Sequence, residues 1–222
     1  MNRYVIIVAG GSGQRFGSKI PKQFVTLKGL PIIFHSIYTF YNFDNHLKFI
    51  ITLPKEFYEY WDNLCEEYNF KVPHSKVVGG ITRFMSVKNA LDAINDKGLV
   101  AIHDAVRPLV SKETLERCFE AAKIHGNAIP VVTIVDSIRK LNFDNSIQVN
   151  RDEYVLVQTP QVFDIDQIKD AFKQPYQQDF TDDAVVLEKT GRRIIMVEGN
   201  RENIKITTQL DMIIAEAIMN AL

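Results

Sequence analysis

Near its N-terminus the chain reads Tyr4-Val5-Ile6-Ile7-Val8-Ala9-Gly10-Gly11-Ser12-Gly13-Gln14-Arg15. The β-branched, apolar run Tyr4 to Val8 predicts a buried parallel strand, so the glycines after it fall on a strand-to-loop turn. Glycine lets backbone N–H groups approach an anion with no Cβ in the way, and Arg15 and Lys22 add mobile positive charge beside the turn. From Met1 to Phe43 the acids are absent while Arg3, Arg15, Lys19, Lys22 and Lys28 are present. In a chain of net charge -1, that one-signed stretch points to a local anion site, here a phosphate site. It is not a Walker A loop, because Gly13 is followed by Gln14-Arg15 rather than by Lys and a hydroxyl residue. Nor is it a dinucleotide fingerprint. Counted from Gly11, the third glycine falls on Phe16, and the next strand ends Thr52-Leu53-Pro54 with no acid for a ribose.

Working outward, 222 residues with 46% hydrophobic and 24% charged side chains describe an ordinary soluble globular protein. No segment approaches the ~20 uninterrupted apolar residues of a membrane span, and the N-terminal run is too short for a signal peptide. A cytoplasmic location is expected. Cys65 and Cys118 sit in segments of helical periodicity without a Cys-x-x-Cys partner. His35, His46, His74, His103 and His125 show no metal-ligand spacing, and there is no Gly-x-Ser-x-Gly elbow. Nucleic-acid binding is disfavoured by the net charge and by the dispersal of lysine and arginine after the first loop.

Strand-like runs alternate with helical ones along the chain. Strands are predicted at Tyr4 to Val8, Lys48 to Leu53, Lys76 to Val78, Leu99 to Ile102 and Ile194 to Val197. Between them the pattern predicts a helix from about Pro31, just inside its start, to Phe43. Another runs from Phe57 to Tyr68 with Trp61, Leu64, Cys65 and Tyr68 on one face. Further helices are expected over Arg83 to Ile94, from an N-cap at Ser111 to His125, and from Thr181-Asp182-Asp183 to Gly191. A last helix, capped by Thr208, carries Leu210, Ile213, Ile214, Ala217 and Ile218 as its apolar face. The alternation argues for an α/β fold with a mostly parallel sheet, in which ligands bind beyond the carboxyl ends of the strands. Val131 to Gln158 breaks the rhythm: two β-rich stretches flank the turn residues Asn142-Phe143-Asp144-Asn145-Ser146, a hairpin with few core residues that should project and need a covering partner.

Two more segments carry chemistry. His103-Asp104-Ala105-Val106-Arg107-Pro108 sets an acid and bases at a strand's carboxyl end, where an active site would lie; the same residues also suit a simple Asp104–Arg107 pair that holds the loop. Gly79-Gly80-Ile81-Thr82-Arg83-Phe84-Met85-Ser86 runs a second glycine turn into a helix. It suits either a nucleobase edge or an ordinary tight turn.

Taken jointly, Ala9-Gly10-Gly11-x-Gly13-x-Arg15, Pro21-Lys22-Gln23, Gly79-Gly80-x-x-Arg83-x-x-Ser86 and His103-Asp104-Ala105-x-Arg107-Pro108 occur in order. So do Gln158-Thr159-Pro160-Gln161-x-Phe163, Thr181-Asp182-Asp183-Ala184 and Glu198-Gly199-x-x-x-Asn203-Ile204-Lys205-Ile206-Thr207. Over essentially its whole length the chain resembles the 2-C-methyl-D-erythritol 4-phosphate cytidylyltransferase family of the non-mevalonate isoprenoid pathway. The resemblance implies a Rossmann-like nucleotidyltransferase fold in one domain over residues 1–222, with 136–155 as a β-arm for dimerisation. It also implies CTP and a polyol phosphate as substrates and Mg²⁺ as cofactor, with no protein ligand of the metal assigned. Arg15, Lys22, Arg151 and Lys205 would be the catalytic cations, the first two on the CTP phosphates and the last two on the incoming phosphate. Ala9, Gly10, Gly11, Gly13, Gly80, Arg83, Ser86, Asp104 and Ala105 would bind the nucleotide. Arg107, Ser137, Thr159 and Thr181 would bind the second substrate, with Ser137 and Arg151 lent to the neighbouring subunit of a homodimer with shared sites.

The chain departs from the family pattern at Ser137, where threonine is usual, at Phe16, where methionine is common, and at Glu202, one methylene longer than the usual aspartate. Two alternatives stand beside this reading: a ribitol-5-phosphate cytidylyltransferase, which shares the glycine loop and the His103 to Pro108 element, and a non-catalytic nucleotide-binding protein on the same fold. Thr181-Asp182-Asp183-Ala184 favours the erythritol enzyme over the first. Retention of Arg151 and Lys205 argues against the second, since a sensor needs no cations for a second phosphate.

Overall fold

Strand β1 (Asn2–Val8) runs inside a mostly parallel sheet in a computed structural model that describes residues 1–10 and 20–221. It pairs in parallel with β4 (Lys48–Leu53) on one side and β6 (Gly98–Asp104) on the other. Val8 is level with both Thr52 and Asp104, so three carboxyl ends meet beside the glycine turn. Beyond β4 lies β5 (His74–Val78), also parallel. Beyond β6 come β11 (Gln161–Asp164), β7 (Asn127–Thr133) and β10 (Val155–Val157), with β12 (Met196–Glu198) also on β7. Among the described residues, only β11 and β10 run against their neighbours in this sheet.

The side-chain alternation of β1 explains the layers. Val5 and Ile7 face a core shared with α1 (Ile32–Phe43), α2 (Tyr58–Glu67) and α4 (Lys112–His125) through Phe34, Trp61 and Phe119. Ile6 faces the opposite core, built on α3 (Arg83–Asp92), α5 (Ile165–Ala171) and α6 (Asp183–Glu188) through Phe84, Ile168 and Leu187. Helices on both faces of a mostly parallel sheet match the α/β fold that the strand–helix alternation predicts and the Rossmann-like arrangement that the resemblance implies. Local chemistry sets the ends of α4: the Ser111 hydroxyl accepts from the Thr114 N–H, and Gly126 closes the helix at φ 86°, a left-handed conformation that favours glycine.

Several expectations change. Pro31 is not inside α1 but precedes it as N-cap and ends a short β ladder formed by β2 (Thr26–Leu27) and β3 (Leu30–Pro31). Strand β6 runs two residues past Ile102, so His103 and Asp104 are strand residues rather than loop. Strand β11 and helix α5 have no counterpart in the sequence reading; four residues are too few to show alternation. The hairpin divides in two. Its base is β7 paired with β10, and its tip is a separate ladder of β8 (Arg139–Asn142) and β9 (Asn145–Gln148) that turns at a fully exposed Phe143. Of the face expected of helix α7 (Gln209–Ala221), only Ile218 packs inward. The helix docks through Ala215, Met212, Ile218 and Met219 against Leu27, Ile32 and Ile206, leaving Leu210, Ile213 and Ile214 exposed. Apolar residues surround that helix, so periodicity alone did not select the docked face. Both cysteines are free; burial pushes the Cys118 thiol up to about 12 and the half-buried Cys65 thiol up to about 11.

Candidate active site

A cleft of about 790 Å³ opens at the carboxyl ends of β1, β4, β5 and β6. Ala9, Gly10, Lys22, Gly80, Arg83, Ser86, Asp104, Ala105 and Lys205 all line it, although they come from five separate stretches of chain. Gly11, Gly13 and Arg15 lie outside the described residues. Thr159 is buried behind the cleft floor and Arg107 is half-buried beside it, both in the hydrogen-bond network that supports it. Thr181 and the arm residues Ser137 and Arg151 are exposed and are not part of this cleft. Arg151 instead donates to the carbonyl of Val135.

Glycine at two positions is a matter of space. An added Cβ at Gly80 would fall 2.2 Å from Met85 Cβ, and one at Gly10 would lie 3.1 Å from Ser86 Oγ. Ser86 therefore sits at the junction of both glycine turns. Its hydroxyl accepts from the Gly80 N–H at 3.0 Å and donates toward the Thr82 carbonyl at 3.0 Å, while Thr82 caps α3 by accepting from the Met85 N–H. The Ala9 N–H is spent on Thr52 O at 3.1 Å, and its carbonyl accepts from the buried Gln23 amide at 2.7 Å. These contacts fix Ala9 at the point where β1 ends.

The floor is an ionic hub. Lys205 Nζ lies 2.8 Å from Asp104 Oδ2, Arg107 Nε 3.5 Å from the same oxygen, and Arg83 Nε 3.5 Å from Oδ1. Burial alone would raise the Asp104 carboxyl, but the cations Arg83, Lys205 and Arg107 overrule it and hold it below the usual carboxylate range. Arg83 is fixed further by a two-pronged pair with the buried Asp183, both N–H···O distances being 2.7 Å. Asp182 caps α6 by accepting from the Val185 N–H, and Gln161 bonds both Asp182 and the Ala184 N–H. The Thr181-Asp182-Asp183 segment thus serves the site through Asp183 and Arg83.

Behind Asp104, one histidine has a fixed tautomer. His103 Nε2 lies 2.9 Å from the Arg107 carbonyl, which can only accept, so Nε2 carries the proton. Nδ1 then accepts from the Thr159 hydroxyl at 3.1 Å, and that hydroxyl accepts the Asp104 N–H at 3.2 Å. Burial is the main cause that lowers His103 from its ordinary 6.5 to about 4. A histidine depressed in the folded state contributes stability that is intact above pH 6.5 and is lost as pH falls toward 4. Urea unfolding should therefore weaken by about 2–3 kcal/mol between pH 7.5 and 4.5. A flat profile over that interval overturns the assignment.

Sequence reasoning missed the far wall. Pro54, Lys55, Glu56 and Phe57 line the cleft after β4, together with the exposed Ile81 and the buried Val106. The signal was available, since ligands bind beyond strand ends and Thr52-Leu53-Pro54 ends a strand.

Comparison with known proteins agrees with this arrangement. The family described as IspD, 2-C-methyl-D-erythritol 4-phosphate cytidylyltransferase, matches residues 4–221. The chain is 48% identical over 219 residues to the protein of that name from Phocaeicola vulgatus, a match spanning 99% of this chain and 100% of the relative. It is 33% identical over 225 residues to the Bacillus licheniformis protein of the same name, covering 100% of this chain and 97% of the relative. The solved 4-diphosphocytidyl-2C-methyl-D-erythritol synthase of Anaerococcus prevotii matches with a TM-score of 0.84 at 26% identity, over 99% of this chain and 96% of that one. The 2-C-methyl-D-erythritol 4-phosphate cytidylyltransferase structure from Francisella tularensis matches with a TM-score of 0.80 at 31% identity, over 98% and 99% of the two chains.

Proposed function

The chain belongs to the 2-C-methyl-D-erythritol 4-phosphate cytidylyltransferase family, and from that premise we propose how its cleft carries the reaction. The protein is a nucleotidyltransferase that moves a cytidylyl group from CTP to 2-C-methyl-D-erythritol 4-phosphate in isoprenoid precursor synthesis. A phosphate oxygen of the polyol substrate forms a bond to the α-phosphorus of CTP as the bond to pyrophosphate breaks. With a second pKa of about 6, that phosphate is already ionised at neutral pH, so the step needs no general base. What it needs is alignment and charge neutralisation.

The observation that carries this reading is the meeting of Lys22, near the start of the chain, and Lys205, near its end, in one cleft beside the Gly10 and Gly80 turns. Lys22, with Arg15, acts on the triphosphate; Lys205, with Arg151, receives the polyol phosphate. Ala9, Gly10, Gly80 and Ser86, with Gly11 and Gly13, form the nucleotide cradle, and Arg83, Asp104 and Ala105 form its floor. Arg107 and Thr159 serve the second substrate from behind that floor, while Thr181 and Ser137 approach it from outside. Among the described residues no group of three or more His, Cys, Asp or Glu is arranged to hold a metal ion. Asp104 already pairs with Lys205, Arg107 and Arg83, so a Mg²⁺ would be held mainly by phosphates and water and would supply further neutralisation of phosphate charge.

Pyrophosphate release measured with CTP and Mg²⁺ should require 2-C-methyl-D-erythritol 4-phosphate and fail with D-ribitol 5-phosphate. Release with ribitol phosphate alone overturns the substrate.

The homodimer is part of the same proposal. Leu141, Phe143 and Ile147 on the arm tip and Val155 to Val157 on the edge strand are exposed apolar groups, a surface that needs cover. With the arm over residues 136–155 of one domain reaching across, Ser137 and Arg151 of each subunit complete the neighbour's cleft. Mixing Arg151→Ala and Lys22→Ala subunits should then regenerate about a quarter to a half of wild-type activity per heterodimer, since one of its two sites is intact. Verified heterodimers no more active than their parents overturn the shared site. No helix among the described residues is long and apolar enough to cross a membrane. The free thiols Cys65 and Cys118 support placing the reaction in the cytoplasm.

A further inference from the structure

Residues 203–207 have no regular secondary structure, yet they deliver Lys205 to a defined point beside Asp104. An irregular segment holds a position only if its backbone groups find fixed partners. Asn203, fully buried and not part of the cleft lining, supplies them. Its side-chain amide donates to the Thr159 carbonyl at 2.8 Å, and its own carbonyl accepts from Arg107 Nη1 at 2.7 Å and from Gln158 Nε2 at 3.3 Å. Beyond Lys205, the Ile206 N–H donates to the Val106 carbonyl at 2.9 Å. Lys205 is thereby clamped on both sides to residues that flank Asp104 in space.

We propose that Asn203 is a positioning residue for the second substrate: it sets where the Lys205 ammonium meets the incoming phosphate. The inference rests on the reading of Lys205 given above. The ion pair with Asp104 cannot do this alone. Asp104 is shared among Lys205, Arg83 and Arg107, and a phosphate dianion entering the cleft competes for the same ammonium. The backbone clamp persists through that exchange, whereas a lysine held only by its tip retains the freedom of a four-carbon stem. A preorganised cation binds more tightly because less motion is lost on binding.

Steady-state kinetics of Asn203→Ala, Gln158→Met and Lys205→Met test it, with pyrophosphate release as readout and thermal melting as the check on folding. Asn203→Ala should raise KM for 2-C-methyl-D-erythritol 4-phosphate about tenfold and leave KM for CTP within about twofold. Gln158→Met, which removes one of the two donors to the Asn203 carbonyl, should raise it about threefold and carries the test if Asn203→Ala does not fold. In a Lys205→Met background, Asn203→Ala should add less than about twofold, because both act through one ammonium. Equal rises in both KM values, or full additivity with Lys205→Met, overturn the proposal and leave Asn203 a general fold residue. If Lys205→Met shifts the polyol phosphate KM and neither Asn203→Ala nor Gln158→Met does, the positioning role alone falls. If Lys205→Met shifts nothing, the reading of Lys205 falls and takes the proposal with it.

Discussion

Lys22→Ala should lower kcat by about 10²–10³-fold while changing the stability of the fold by less than about 0.5 kcal/mol. The two effects separate because neighbouring residues divide the work. Lys22 opens a single turn of 3-10 helix over Lys22–Phe24. Gln23 is buried and donates to the Ala9 carbonyl, and Phe24 is buried against Phe57 and Tyr60. Those two anchor the turn, whereas Lys22 is half-buried at the cleft wall. On the proposed reading, its ammonium matters most when negative charge gathers on the departing pyrophosphate. Steady-state pyrophosphate release and a thermal melt check both halves. A variant within threefold of wild-type kcat, or one that melts early, overturns the division.

Asp104→Asn should cost about 3–5 kcal/mol of stability and roughly 10 °C of melting temperature, the largest loss expected of any single-charge change at this site. The side chain keeps its size and loses the charge around which Lys205, Arg83 and Arg107 gather. Arg83 retains Asp183, but Lys205 and Arg107 are left facing one another and Arg83 without compensation. Because the penalty comes from stranded cations, Lys205→Met introduced alongside should recover part of it. Calorimetry of both single variants and the double variant decides the matter. An Asp104→Asn protein melting within 2 °C of wild type, or strict additivity with Lys205→Met, removes the hub from the account of stability. In wild type the cations hold the Asp104 carboxyl below its usual range, so the hub stays charged through the neutral range in which the enzyme is assayed.

Much of the frame was legible where signals are local. Five predicted strands and the Ser111 and Thr208 caps correspond to observed features. The Thr208 hydroxyl accepts from the Asp211 N–H at 3.3 Å. Where a signal is short or surrounded by apolar neighbours, legibility failed. Gln161–Asp164 is a buried strand running against both its neighbours, and its direction follows from the sheet rather than from its residues. Helix α7 offers apolar groups on more than one face, and the pocket formed by Leu27, Ile32 and Ile206 selects which is buried.

The site divides along the same line. The motifs marked Arg83, Asp104, Arg107 and Lys205 as important, and the adjacency of Asp104 and Arg107 in sequence made their pairing an open option. The partnership of Arg83 with Asp183, 100 positions away, left no mark in either segment, nor did the position of Asn203 behind Lys205. By itself the sequence determined what could be built from neighbours: strands from β-branched runs, caps from hydroxyl residues, and turns from glycine. Which charges share the cleft floor follows from the fold. That choice depends on strand order and register, which bring Val8 level with Asp104 and carry the residue 203–207 segment beneath them, and no local propensity encodes it.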